Sequence, residues 1–186
     1  MVAPLQARLF LLCHLTMSKT ILITGATRSG KSQLAEAKIA ALGLPAIYIA
    51  TAQVYDSEMA ARVKLHKDRR GTQWQLRHAP RDLCTALDET DGGPPRLVDC
   101  LTMWLTNLML DEADWQAESY RLADTLARMK TPVVLVTNEV GWGIVPETRL
   151  GRQFRDAQGI VNQRIACVCD EVYLAVCGLP MKVKPQ

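Results

Sequence analysis

TILITGATRSGKS, residues Thr20 to Ser32, is the stretch from which the fold is read. Thr20 to Thr24 form a continuous apolar run, the pattern of a strand buried on both faces of a parallel sheet. Gly25, Ala26, Thr27, Arg28, Ser29, Gly30, Lys31 and Ser32 then satisfy G-x-x-x-x-G-K-[ST] in full. Glycines at these places let the backbone wrap around phosphates with its N–H groups pointing inward. Lys31 supplies a cation for the outer phosphates, and the Ser32 hydroxyl is a candidate Mg²⁺ ligand. SQLAEAKIAALG follows as a helix stopped by Gly43, so a helix N-terminus also faces the phosphates. Strand, loop and helix in this order are the context the motif needs.

Outward from this point the same alternation continues. AIYIATA, Ala46 to Ala52, reads as a second buried strand, and Asp56 and Ser57 cap a helix expected from Glu58 to about Arg69. RLVDCLT follows the turn GGPP as an apolar segment, and TMWLTNLML continues it with helical character. DEADWQAESYRLADTLARMK is an amphipathic helix and TPVVLVTNEV the clearest strand of the chain. A polar helix over RLGRQFRDAQGIVNQRIACVC, a last strand EVYLAVCG and a tail LPMKVKP complete it. The alternation predicts an α/β fold, with a mainly parallel sheet and helices on both faces. The 186 residues suit one domain, and 48% hydrophobic residues suffice for a core.

The net charge of +3 indicates no nucleic-acid partner. Six cysteines without a CxxC pair argue against zinc. Most lie in apolar stretches and are expected to be buried, reduced thiols of a cytoplasmic protein. Cys167 and Cys169, two apart, would share a face on a strand. The leader MVAPLQARLFLLCHLT has an apolar core too short to span a membrane. Met17 is expected to be the functional start, with residues 1–16 an extension without a role and residues 17–186 one catalytic domain. No other segment is long and apolar enough to span.

Three further residues bear on chemistry. Asp99 in RLVDC ends a predicted strand, where an acidic residue would hold the metal of a phosphate site; a turn carboxylate is the ordinary alternative. Glu139, after VVLVTN, lies at a strand's carboxyl end, where open α/β sheets place ligands. It would orient a hydroxyl or water, or merely cap the strand. On the helix predicted from Glu58, the i, i+4 spacing aligns Glu58, Arg62 and His66, with Arg69 and Arg70 near the same end. Adjacent cations disfavour imidazolium and keep the ring a neutral nucleophile able to attack phosphorus. Spacing alone leaves a solvated histidine on a basic helix as the other reading. His78, in LRHAP, has the same two readings. A nucleotide-driven switch without a small-molecule acceptor is the competing function, and it rests on the phosphate loop alone.

GATRSGKS, IATAQVYDSEMAARVKLHKDRR, VDCLTMWLTNLM, VTNEVGWGIVPETRLGRQFRD and VNQRIACVCDEVYLAVCGLPMKVK together resemble the bifunctional adenosylcobinamide kinase and adenosylcobinamide-phosphate guanylyltransferase family of cobalamin biosynthesis. The likeness runs from about Thr20 to Lys184. It implies a RecA-like P-loop fold assembled as a homotrimer. It implies phosphorylation of adenosylcobinamide by a nucleoside triphosphate, ATP or GTP with Mg²⁺. GMP from GTP would then pass through a guanylylated histidine to adenosylcobinamide phosphate, giving adenosylcobinamide-GDP. The family's histidine maps to His66. Its nucleotide contacts map to the loop Gly25 to Ser32, to Ala50, Thr51 and Ala52, to Lys67, Asp68, Arg69 and Arg70, and to Asp99. Family members tend to carry glutamate where this chain has His78, which implies rearranged base or ribose recognition.

Overall fold

The computed structural model describes residues 19–53 and 71–185. The helix expected from Glu58 to Arg69, with His66, Lys67, Asp68, Arg69 and Arg70, lies outside the described residues, as does the leader with Met17.

Seven strands form one sheet in the order β3-β2-β4-β5-β1-β6-β7. They are β1 (Thr20–Gly25), β2 (Ala46–Ala50), β3 (Trp74–His78), β4 (Arg96–Asp99), β5 (Val133–Val136), β6 (Glu171–Val176) and β7 (Leu179–Lys184). All neighbours pair in parallel except β6 and β7, which form an antiparallel hairpin. The helices are α1 (Lys31–Leu42), α2 (Leu83–Glu89), α3 (Leu101–Leu110), α4 (Trp115–Ala127) and α5 (Arg149–Val168).

Side chains alternate between two cores, one on each face of the sheet. Leu22, Ile49, Val98, Val133 and Leu135 pack with Leu83, Trp104, Leu122, Val161 and Ile165 of α2 to α5. Ile21, Ile23, Tyr48, Leu97, Val134 and Val136 pack with Ala35 and Ile39 of α1. Because β1, β4 and β5 are covered on both sides, they must be apolar at consecutive positions. Burying each such side chain contributes about 1.5–3 kcal/mol.

Arg96, at the start of β4, is fully buried. It donates to Leu87 O, Thr131 O and Thr131 Oγ1 at 2.8, 2.7 and 2.6 Å, and pairs with Asp91 at 3.1 Å. It thereby ties α2, β4 and the approach to β5 at the amino edge of the sheet. Burial opposes the Asp91 charge. Even so, the N–H groups of Lys130 and Thr131, the Thr131 hydroxyl and Arg96 hold this carboxyl below its ordinary pKa.

The structure corrects several expectations. Leu179–Lys184 is a strand, not a tail, and Trp74–His78 and Leu83–Glu89 are elements the sequence pattern did not reveal. The second strand stops at Ala50. Cys167 belongs to α5 and Cys169 follows that helix, so they do not share a strand face. Cys84 and Cys169 are buried, Cys100 is half-buried, and Cys167 and Cys177 are exposed; all five are free thiols.

Candidate active site

Parallel pairing gathers the carboxyl ends of six strands on one edge. The register sets Ala50 beside both His78 and Asp99, Asp99 beside Val136, and Val136 beside Ile23. Residues far apart in sequence thus meet where such sheets place ligands.

The phosphate loop leaves β1 at Gly25. A side chain there would meet Ser29 Oγ at 2.6 Å and Ala175 O at 2.7 Å, so the close approach admits only glycine. Arg28 and Gly30 take positive φ of 58° and 92° as the loop turns. Gly30 packs on the β6–β7 turn: a Cβ would lie 2.9 Å from Gly178 Cα, and Gly178 N donates to Ser29 O at 2.9 Å. The hairpin, whose second strand the sequence left as a tail, is therefore the floor beneath the loop. Ala26, Thr27 and Arg28 are exposed at the tip. Ser29 is buried and its hydroxyl has no partner among the described residues, an unsatisfied donor that a phosphate oxygen would complete. No side chain caps the N-terminus of α1, and its first turn carries no acidic residue. Its free N–H groups suit an anion.

Lys31 arches back over the loop, donating to Ala26 O at 3.0 Å. Burial lowers its pKa, and Cys100 and Asp99 oppose that shift. Cys100 is a neutral thiol at neutral pH, since burial, aided by Asp99, pushes it up to about 11. So α1 leans across β5 and brings Lys31 toward the carboxylate ending β4. Asp99 Oδ2 accepts from Tyr48 Oη at 3.1 Å. Ser32 is half-buried in the first turn of α1.

Thr51 is fully buried. Its hydroxyl donates to Cys100 O at 2.7 Å and accepts from Cys100 N at 2.8 Å, and its carbonyl accepts from Asn107 Nδ2 at 2.8 Å. It fixes the ends of β2 and β4 to each other rather than presenting its side chain outward. Ala50 and Ala52 are half-buried beside it.

His78 ends edge strand β3 and is exposed. It lines a cavity of about 370 Å³ with Arg77, Pro80, Arg81, Asp82 and Thr85. Four strand spacings separate β3 from β1 in the sheet order, about 19 Å. The structure therefore groups the loop, Lys31, Ser32 and Asp99, and sets His78 at the far end of the same edge.

The sequence pattern missed a polar network behind Glu139. Thr24 Oγ1 donates to Glu139 Oε1 at 2.5 Å, and Asn162 Nδ2 reaches the same oxygen at 3.2 Å. Asn162 Oδ1 accepts from Thr137 Oγ1 and Gln158 Nε2 at 2.7 and 2.9 Å. Gln158 and Asn162 lie one turn apart on the buried stripe of α5 with Ala157, Val161 and Ile165. Two amides on an apolar stripe were the available signal.

The family model of cobinamide kinase / cobinamide phosphate guanyltransferase matches residues 21–183. The bifunctional adenosylcobalamin biosynthesis protein CobP of Pseudomonas aeruginosa is 43% identical over 166 residues, covering 88% of this chain and 96% of that protein. Its counterpart CobU of Salmonella typhimurium is 43% identical over 181 residues, covering 88% and 99%. Among solved structures, the RadB recombinase superposes with a TM-score of 0.49 at 16% identity, covering 84% of this chain and 73% of that one. A KaiC-like protein of Pyrococcus horikoshii gives 0.48 at 14% identity, covering 84% and 71%. Likeness at that level carries no inference about this chain. The match over most of its length does: the chain belongs to the cobinamide kinase / cobinamide phosphate guanyltransferase family.

Proposed function

We propose that this protein phosphorylates adenosylcobinamide from a nucleoside triphosphate and then moves GMP from GTP onto adenosylcobinamide phosphate. The observation that carries the reading is the phosphate loop, with Lys31 folded back onto it and Asp99 at the end of β4 on the same sheet edge, in a chain of this family. The loop N–H groups, the α1 N-terminus and Lys31 hold the triphosphate and stabilise charge that grows as the terminal phosphoryl group transfers.

The residues present fit Mg²⁺. Asp99 keeps one carboxylate oxygen clear of Tyr48, and Ser32 offers a hydroxyl. One carboxylate plus nucleotide phosphates is a common Mg²⁺ set. Among the described residues no group of three His, Cys, Asp or Glu could cage a metal alone, which suits an ion that arrives with the nucleotide. Bound there, Mg²⁺ would neutralise phosphate charge.

For the second reaction His66 is the proposed nucleophile. Its neutral ring attacks the α-phosphorus of GTP, the bond to the β-phosphate oxygen breaks, and pyrophosphate leaves. The phosphate of the acceptor then displaces the histidine and takes the GMP. Lys67, Asp68, Arg69, Arg70, Ala50, Thr51, Ala52 and His78 are its proposed nucleotide contacts. The same reading includes one catalytic domain after the leader, a homotrimer and a cytoplasmic location. None of the described helices is long and apolar enough to cross a membrane.

The test uses α-phosphate-labelled GTP with Mg²⁺, followed by denaturation. Acid-labile, base-stable label is expected on wild type and absent from His66→Ala. Unlabelled wild type, or equal labelling of the variant, would remove His66 from the mechanism.

A further inference from the structure

Glu139 lies just beyond β5, the strand between β1 and β4. Its N–H donates to Gly25 O at 3.1 Å, which pins it to the first residue of the phosphate loop. Its carboxylate is held on one oxygen only. Thr24 and Asn162 both donate to Oε1, while Oε2 has no hydrogen bond among the described residues. Asn162 is itself aimed: Thr137 and Gln158 fix its carbonyl oxygen, and its Nδ2 also donates to Asn138 O at 3.1 Å. Asn138 is in turn held through its N–H and Nδ2 by Thr102 Oγ1, at 3.0 and 2.9 Å. A half-buried carboxylate oriented by buried amides, with one oxygen left open, is preorganised for a task at that oxygen. A strand cap alone would not need it.

The two carboxylates of this edge are set apart by their partners. Asp99 is engaged by Tyr48 at 3.1 Å and lies within electrostatic reach of Lys31, the surroundings of a metal-holding anion. Among the described residues Glu139 is held only by neutral donors, one strand spacing from the loop.

We propose that Glu139 is the catalytic base of the kinase reaction, an inference that rests on the kinase reading above. Its Oε2 takes the proton of the acceptor hydroxyl. The hydroxyl oxygen forms its bond to the γ-phosphorus as the bond to the β-phosphate oxygen breaks. The nucleoside diphosphate departs with that electron pair, and the proton passes from Glu139 to solvent.

Glu139→Gln tests this closely. The amide oxygen still accepts from Thr24 and Asn162, and only the open oxygen is replaced, by a group unable to take a proton. Cobinamide phosphorylation should fall about 10²–10⁴-fold in kcat, with KM for the triphosphate within about threefold. Covalent GMP labelling from α-labelled GTP should persist, which also reports a folded chain. A kinase rate within threefold of wild type overturns the proposal. So does joint loss of labelling and triphosphate binding, which would make Glu139 a structural residue. A wild type that does not phosphorylate cobinamide removes the kinase reading itself; an active wild type with an equally active variant removes Glu139 alone.

Discussion

The middle of the sheet and its two edges are built by different rules. β1, β4 and β5 are buried on both faces and end in the groups proposed to handle phosphate. β3 and β7 are largely exposed, with alternation too weak to mark them. Yet each edge serves the site. The β6–β7 turn floors the phosphate loop, and β3 carries His78 to the cavity. The difference teaches that chemistry at the centre depends on charge and aim, whereas the edges contribute support and reach.

Lys31→Ala should have the largest effect, because Lys31 is the half-buried cation folded back onto the phosphate loop. Kinase kcat/KM is expected to fall at least about 10³-fold, with the melting temperature little changed. A fall below tenfold would mean that the loop backbone suffices and the contrast is overdrawn.

Arg96→Met probes the centre at its amino edge. It removes the one charged partner of Asp91 among the described residues, together with the hydrogen bonds to Leu87 O and Thr131 O. A loss of about 3 kcal/mol in urea unfolding is expected, or several degrees in melting temperature. Unchanged stability would show that Asp91 is rescued by water.

Gly30→Ala tests whether the edge hairpin really floors the loop. Positive φ and a 2.9 Å approach to Gly178 Cα predict about 1–3 kcal/mol of destabilisation and weaker triphosphate binding by isothermal titration. Retained stability and affinity would separate the hairpin from the site.

Glu171 sharpens the same edge through pH. Burial raises its pKa, but the hydrogen bonds from Lys19, Tyr173 and Lys182 outweigh this and bring it down to about 2. A depressed carboxylate stabilises above its unfolded pKa of about 4.5 and loses that contribution as pH falls through 2. Discounting for solvated Lys19 and Lys182, this is on the order of 1 kcal/mol. Glu171→Gln should therefore flatten the stability profile between pH about 4.5 and 2. An unaltered profile would show that the edge carboxylate is not coupled to folding.

His78→Ala should have the smallest effect. At about 19 Å from β1 it is expected to leave triphosphate KM in the kinase assay within twofold while reducing GMP labelling. A large kinase defect would collapse the distinction between the two ends of the edge.

The reading from sequence succeeded where a local pattern has one physical meaning. A doubly buried strand is apolar at every position, and a phosphate loop needs its glycines, Lys31 and Ser32 in fixed order, so β1, the loop and α1 were legible together. Resemblance across most of the chain supplied the family. Edge strands escaped because exposure on both faces removes the apolar signal, and Leu179–Lys184 then looks like any polar terminus. Glu139 was visible at a strand end but could not be told from a cap, since its meaning lies in Thr24 and Asn162. By itself, then, the sequence determined the buried strands, the phosphate loop and the kinship. The tertiary structure decided that Asp99 comes within electrostatic reach of Lys31, which oxygen of Glu139 stays open among the described residues, and that a terminal hairpin supports the loop. These depend on strand register and helix packing between residues that are not neighbours in the chain, which no local pattern of side chains encodes.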